Sequence, residues 1–213
     1  RRGLLKRIQE SPGAKVYYDM LIWLYEQQKD FTRALRQAIA LDKRLNRHGR
    51  EVLEVANMAR SNNDLVVAEK GYDYIISLGR GKPFYIKANQ ELLQTHYERV
   101  VSMGKPSRKE VEDLESEYLR FIKEYANKNY TAYLLRDLAH LTAFYLNKPP
   151  KGLEYINRAL GFTQIPDRLR AQCNLEKADI QVLKGDVWDA ALLYAQIEKE
   201  NKNNPQGYEA KFR

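Results

Sequence analysis

The side chains in this sequence that could do chemistry are few and stand far apart. The histidines are His48, His96 and His140, and no Cys, second His or carboxylate set lies near any of them at metal-ligand spacing. The one cysteine, Cys173, sits among Ala171, Leu175 and Ala178, the company of a small hydrophobe on a helix face. Being single, it cannot close an internal disulfide, so the redox compartment is not readable from it. Gly79-Arg80-Gly81-Lys82-Pro83 has glycine and lysine but neither the preceding strand nor the length of a phosphate loop. Glu110, Glu112, Asp113, Glu115 and Glu117 read as a solvated helix face. His140, between Ala139 and Leu141, reads as a histidine packed between helices. No Ser/His/Asp or Cys/His grouping can be assembled from spacing. The expectation is therefore no catalytic residue, no metal and no cofactor, and binding becomes the class of function to examine.

Charge offers one binding chemistry. Of 213 residues, 36 are basic and 28 acidic, a net charge of +8. Lys43, Arg44, Arg47, His48 and Arg50 cluster between two helices, and Arg80, Lys82 and Lys87 cluster further on. Cations at helix C-termini complement the backbone dipole, which accounts for most of this placement. A ridge for phosphate or an acidic ligand is the alternative. The 15 tyrosines could stack on bases, but Tyr18, Tyr25, Tyr72, Tyr118, Tyr125, Tyr155 and Tyr194 fall on apolar helical stripes, which favours packing. Nucleic acid is thus the weaker reading. No run of about 18 apolar residues exists to span a membrane as a helix.

The elements that carry these residues repeat. Gln28-Lys29-Asp30-Phe31-Thr32-Arg33-Ala34-Leu35 and Lys184-Gly185-Asp186-Val187-Trp188-Asp189-Ala190-Ala191 share one pattern: a polar turn with Asp, an apolar residue, then Ala three places on. Asn62-Asn63-Asp64-Leu65-Val66-Val67-Ala68 is a third copy, with Ala68 standing 34 residues after Ala34. Asp30 stands where a helix N-cap is needed. Apolar residues on each flank recur every three or four places, as in Tyr18, Leu21, Ile22 and Tyr25 or Ala34, Ala38 and Leu41.

A period of 34 in a helical chain resembles the tetratricopeptide repeat (TPR) family. The resemblance implies an all-α, right-handed TPR-type α-solenoid of antiparallel helix pairs. It divides the chain into the end of a preceding repeat at 1–14, repeats at 15–48 and 49–82, an elongated irregular helical hairpin at 83–130, repeats at 133–166 and 171–204, and the start of a further helix at 205–213. The hairpin's second helix is expected from Ser107, capped with Glu110, to about Lys128. Gly152 takes the place of the usual Ala at a close helix contact, and Pro149 and Pro150 open a helix where amides lack partners anyway. Leu4, Leu5, Ile8 and Pro12 at one end, and Tyr208 and Phe212 at the other, lack the polar face of a capping repeat. The chain therefore reads as a piece of a longer array, with self-association through its ends as a further expectation.

TPR arrays hold proteins or peptides on their concave wall, and the resemblance carries that role onto particular positions here. In the first two repeats these are Asp19, Trp23, Glu26, Gln27, Asn57 and Arg60. In the last two they are Asp137, Leu141, Phe144, Tyr145 and Asp179. The clamp that grips a chaperone's carboxylate tail needs Lys and Asn where this chain has Asp19 and Trp23, then Leu53 and Asn57; only Asn57 matches, and that specific role fails. The segment Leu183–Tyr194 resembles large multi-repeat TPR proteins of Gram-negative bacterial envelopes, which implies a periplasmic or cell-envelope home, with the cytoplasm as the alternative. The expected function is a non-enzymatic protein-binding scaffold. Nucleic-acid or acidic-ligand binding through the basic loops, and a structural spacer within a larger envelope protein, stand as alternatives.

Overall fold

The computed structural model describes residues 2–11, 13–125 and 130–213; Pro12 and Lys128 lie outside the described residues. Among the described residues there are helices and turns and no strand. They form two compact units, Arg1–Ser102 and Met103–Arg213.

The first unit holds α1 (Arg2–Glu10), α2 (Lys15–Gln27), α3 (Phe31–Leu45), α4 (Arg50–Ser61), α5 (Leu65–Ser77) and α6 (Tyr85–Ser102). Each helix packs on the next, and α2, α3 and α4 also touch the helix after next, which is the contact pattern of stacked antiparallel pairs. The turns are set locally. Asp30 accepts the Arg33 amide at 3.1 Å and Asp64 the Val67 amide at 3.2 Å, capping α3 and α5. Loss of such a cap costs about 1 kcal/mol. The expected stripes form the core: Tyr18, Leu21 and Tyr25 of α2 meet Ala34, Ala38 and Leu41 of α3, and Val52, Val55 and Ala56 of α4 meet Ala68, Tyr72 and Ile75 of α5. Leu4 and Ile8 of α1 pack on the same cluster.

One fastener of this unit is polar and was not anticipated. Asp42, buried near the end of α3, accepts the Gly49 amide at 2.7 Å and the Tyr74 hydroxyl at 2.8 Å. Gly49 has φ of +84°, and a Cβ there would lie 2.8 Å from Ile75, so the turn into α4 needs glycine.

The second unit holds α7 (Arg108–Glu124), α8 (Thr131–His140), a π-helical turn (Leu141–Tyr145), α9 (Pro149–Leu160), α10 (Asp167–Lys184), α11 (Val187–Glu200) and α12 (Pro205–Phe212). Ser107 and Glu110 form the expected capping box at α7, and Pro149 and Pro150 open α9. The close contact at Gly152 is real: a Cβ there would stand 2.9 Å from the Ala143 Cβ and 3.0 Å from the Ala139 carbonyl oxygen. Glu115 departs from expectation. It is buried and takes the Lys151 ammonium at 2.7 Å, tying α7 to α9, because only part of the acidic run faces water. The division between the units falls inside the segment 83–130, so α6 and α7 belong to different units.

Candidate partner-binding groove

The helices α2 and α4 begin successive pairs and lie side by side in the first unit. Residues spaced by three, four and seven along α2 share one face. That spacing brings Lys15, Asp19, Ile22, Trp23 and Glu26 of α2 opposite Glu51, Glu54 and Val55 of α4, around a groove of about 240 Å³. Trp23 keeps 60% of its surface exposed, an unusual cost for a large aromatic and the main sign of an open site.

Electrostatics divide the groove in two. At one end the charges are matched. Lys15 donates to both Asp19 oxygens at 2.7 Å and lies 3.5 Å from Glu51, and the Asp19 hydrogen bond raises its pKa. Burial opposes ionisation of Glu51, but the hydrogen bond from Arg47 and the charges of Arg47 and Lys15 help leave its carboxyl below the usual range. Its second oxygen, Oε2, is buried with no hydrogen-bond partner. At the other end Glu26 and Glu54 have no cation partner among the described residues. Burial first, and then the nearby Glu54, push the Glu26 carboxyl above its ordinary value.

The other residues expected on a binding wall are placed differently. Gln27 is exposed at the end of α2. Asn57 accepts the Tyr72 hydroxyl at 2.9 Å, so this match to a carboxylate clamp serves packing within its own helix pair. Asp179 does the same for Tyr194 and also pairs with Arg213. Arg60 reaches Glu91 at 2.8 Å and is held within the unit. Two expectations are corrected: Asp137 and Leu141 are buried and offer no wall surface. The reason is local enclosure, since α7, α9 and α10 all pack on the turn that Leu141 begins. Phe144 is 39% exposed and lies against His140 with ring centroids 4.8 Å apart, while Tyr145, half-buried, is 5.8 Å from the same ring.

The corresponding helix contact in the second unit, α8 on α10, is bridged. Arg136 donates to Gln172 at 2.9 Å and to Asp137 at 2.8 Å, and His140 Nδ1 lies 2.8 Å from Glu176. With the repeat boundaries read from the sequence, Glu54 and Glu176 hold the same place, and Ile22 stands where His140 does. The substitution removes Glu54's partner and leaves that edge of the groove open.

Sequence reasoning missed Lys15, Glu51 and Glu54 as lining residues because it followed a fixed set of repeat positions. The signal was present in Glu51 and Glu54, three apart on α4 and facing back towards α2. Some of the basic ridge is consumed internally: Arg47 by Glu51 and Lys87 by Glu91. Cys173 is fully buried, and burial pushes its thiol up to about 11, which fits an inert packing role. Among the described residues no group of three His, Cys, Asp or Glu could hold a metal ion, and no helix is long and apolar enough to cross a membrane.

No protein-family model and no curated protein matches the chain. Solved structures do. YrrB, described as a TPR protein with an unusual peptide-binding site, aligns at TM-score 0.59 and 11% identity over 99% of this chain and 98% of its own. PilW, a widely conserved type IV pilus biogenesis factor, aligns at TM-score 0.60 and 11% identity over 96% of this chain and 86% of its own. Pseudomonas aeruginosa PilF aligns at 0.58 and 12% identity over 98% and 86%. The fold is TPR-like: all-α, built of antiparallel helix pairs.

Proposed function

We propose that the chain is a non-enzymatic scaffold that holds a peptide or an extended protein segment in the groove between α2 and α4. The observation that carries the reading is the open groove itself, with Trp23 standing exposed beside it. At about 240 Å³ it is smaller than the roughly 300–1,000 Å³ of small-molecule pockets, and suits one or two side chains of a longer ligand. An exposed tryptophan beside a groove is the residue type that dominates binding energy in such interfaces. YrrB's described peptide-binding site adds support from a shared fold. The test is panning of random peptides on the wild-type chain and on Trp23→Ala. Selected peptides should bind the variant at least about tenfold more weakly, the loss of a hot-spot residue. Equal binding by both would end this reading.

A second surface supports a separate interaction. Trp188 is 90% and Phe212 86% exposed, and Leu192 stands one turn beyond Trp188 on α11. The Trp188–Leu192 stripe of α11 suits further helices or a second copy of the chain. Sedimentation of wild type against Leu192→Glu checks it: concentration-dependent association should disappear in the variant. A cell-envelope location is the companion proposal, supported by the resemblance of Leu183–Tyr194 and by PilW's description as a pilus biogenesis factor. Fractionation of the native cells, with the chain recovered only in the cytosol, would refute it.

A further inference from the structure

We infer that the α2–α4 groove selects a cationic side chain, arginine or lysine, of a basic peptide, seated between Glu26 and Glu54 against the Trp23 indole. The inference rests on the peptide-binding reading and adds the chemical class of the ligand. Three features point to it. The groove presents four carboxylates, Asp19, Glu26, Glu51 and Glu54, against one lining cation, in a chain whose net charge is +8. Lys15 is already engaged by Asp19 and Glu51, so it cannot answer Glu26 or Glu54. Glu26 and Glu54 have no cation partner among the described residues, and Trp23 stands 60% exposed beside them on the groove.

Chemistry favours a cation over other ligands. A guanidinium or ammonium placed over an indole face is attracted by the ring's quadrupole, and tryptophan is the best of the aromatic platforms. Two flanking carboxylates add Coulomb attraction that water screens less in a partly enclosed groove. An acidic peptide would bring a like charge beside Glu26 and Glu54, and a carboxylate tail finds no free cation here. The second unit supplies a contrast: Glu176, in the place corresponding to Glu54, has the His140 ring nitrogen of the neighbouring helix within hydrogen-bonding distance. In the first unit Glu54 has no such neighbour among the described residues, which leaves that place for a ligand's cation.

The two tryptophans, Trp23 in the groove and Trp188 on α11, give a built-in reporter and control. The probes are three end-blocked heptapeptides, Gly-Ser-Leu-X-Leu-Ser-Gly, with X as arginine, norleucine or glutamate. Titration is followed by the indole N–H resonances. The arginine peptide should move the Trp23 signal and leave Trp188 in place, and bind roughly tenfold more tightly than the norleucine peptide. The glutamate peptide should bind most weakly. Combined Glu26→Gln and Glu54→Gln substitution should abolish the arginine peptide's advantage over the norleucine peptide. If norleucine binds wild type as tightly as arginine while moving Trp23, the groove holds peptides but the charge inference falls. If no peptide moves Trp23, the groove reading falls with it.

Discussion

The contact of α2 with α4 and that of α8 with α10 are built from the same kind of helices, yet one holds an open groove and the other is bridged by polar side chains. Between α8 and α10, Arg136 spans to Gln172 and His140 to Glu176. Between α2 and α4, the corresponding glutamate, Glu54, faces Ile22 and has no cation partner among the described residues. The difference extends to Trp23 and Leu141, which share one repeat position: Trp23 is exposed and Leu141 fully buried. On the proposed function, the repeats assign binding and packing to equivalent places by changing which side chains meet across the contact. Closing the bridge stabilises the stack; omitting it leaves a surface for a ligand.

The largest effect expected from this contrast follows from Arg136→Ala. Burial already pushes the Asp137 carboxyl above its ordinary value against the opposing pull of Arg136, so losing the guanidinium leaves a buried acid without its partner, a loss of roughly 3–5 kcal/mol. Lys15→Ala, which removes the half-exposed partner of Asp19 in the open groove, should cost less than about 1 kcal/mol. Urea unfolding of both variants decides it. Equal losses would mean that the two contacts are not distinct in kind.

Next comes the pair at one repeat position. Leu141→Ala removes a fully buried side chain and should cost about 2–5 kcal/mol through lost burial and the cavity left behind. Trp23→Ala should change stability by less than about 1 kcal/mol while weakening peptide binding at least about tenfold. A large destabilisation by Trp23→Ala would show the indole to be packing, and the open groove would lose its anchor.

Tyr72→Phe has a smaller effect. It removes the hydrogen bond to Asn57 and should cost about 0.5–1.5 kcal/mol with no change in peptide affinity. Lost affinity would return Asn57 to the binding wall.

The smallest effect concerns Glu26, whose folded carboxyl is raised above its ordinary value, first by burial and then by Glu54. The folded state therefore keeps the proton where the unfolded chain has released it. Stability from this group is present below the unfolded value and is lost as pH rises through the folded one. Glu26→Gln should accordingly stabilise the chain at pH 7 by less than about 0.5 kcal/mol, with the gain fading in acid. Thermal melts across that range read the sign. For the same reason a bound cation should be released as pH falls through the Glu26 carboxyl's raised value.

Much of this architecture was legible in the residues. Asp30 and Asp64 announced their caps, and Ala34, Ala68 and Gly152 announced the close contacts, because these depend on chain-local geometry and on side-chain size. The pairing of Tyr72 with Asn57 and of Tyr194 with Asp179, each 15 residues apart, was readable in principle. Where the tyrosine is absent, as at Ala38 and Ile156, the partner place is taken by apolar Trp23 and Leu141.

By itself the sequence determined the helices, their caps and the 34-residue spacing that pairs them, since periodicity and capping act within a few residues of the chain. Only the tertiary structure decided which wall positions remain open. Trp23 and Leu141 are both apolar at one repeat position, and their spacing does not distinguish them. Enclosure of Leu141 by α7, α9 and α10, and the lack of a partner for Glu54 across from Ile22, arise from residues distant in the chain. Burial and unmatched charge are properties of neighbours in space, and those neighbours exist only once the helices have packed.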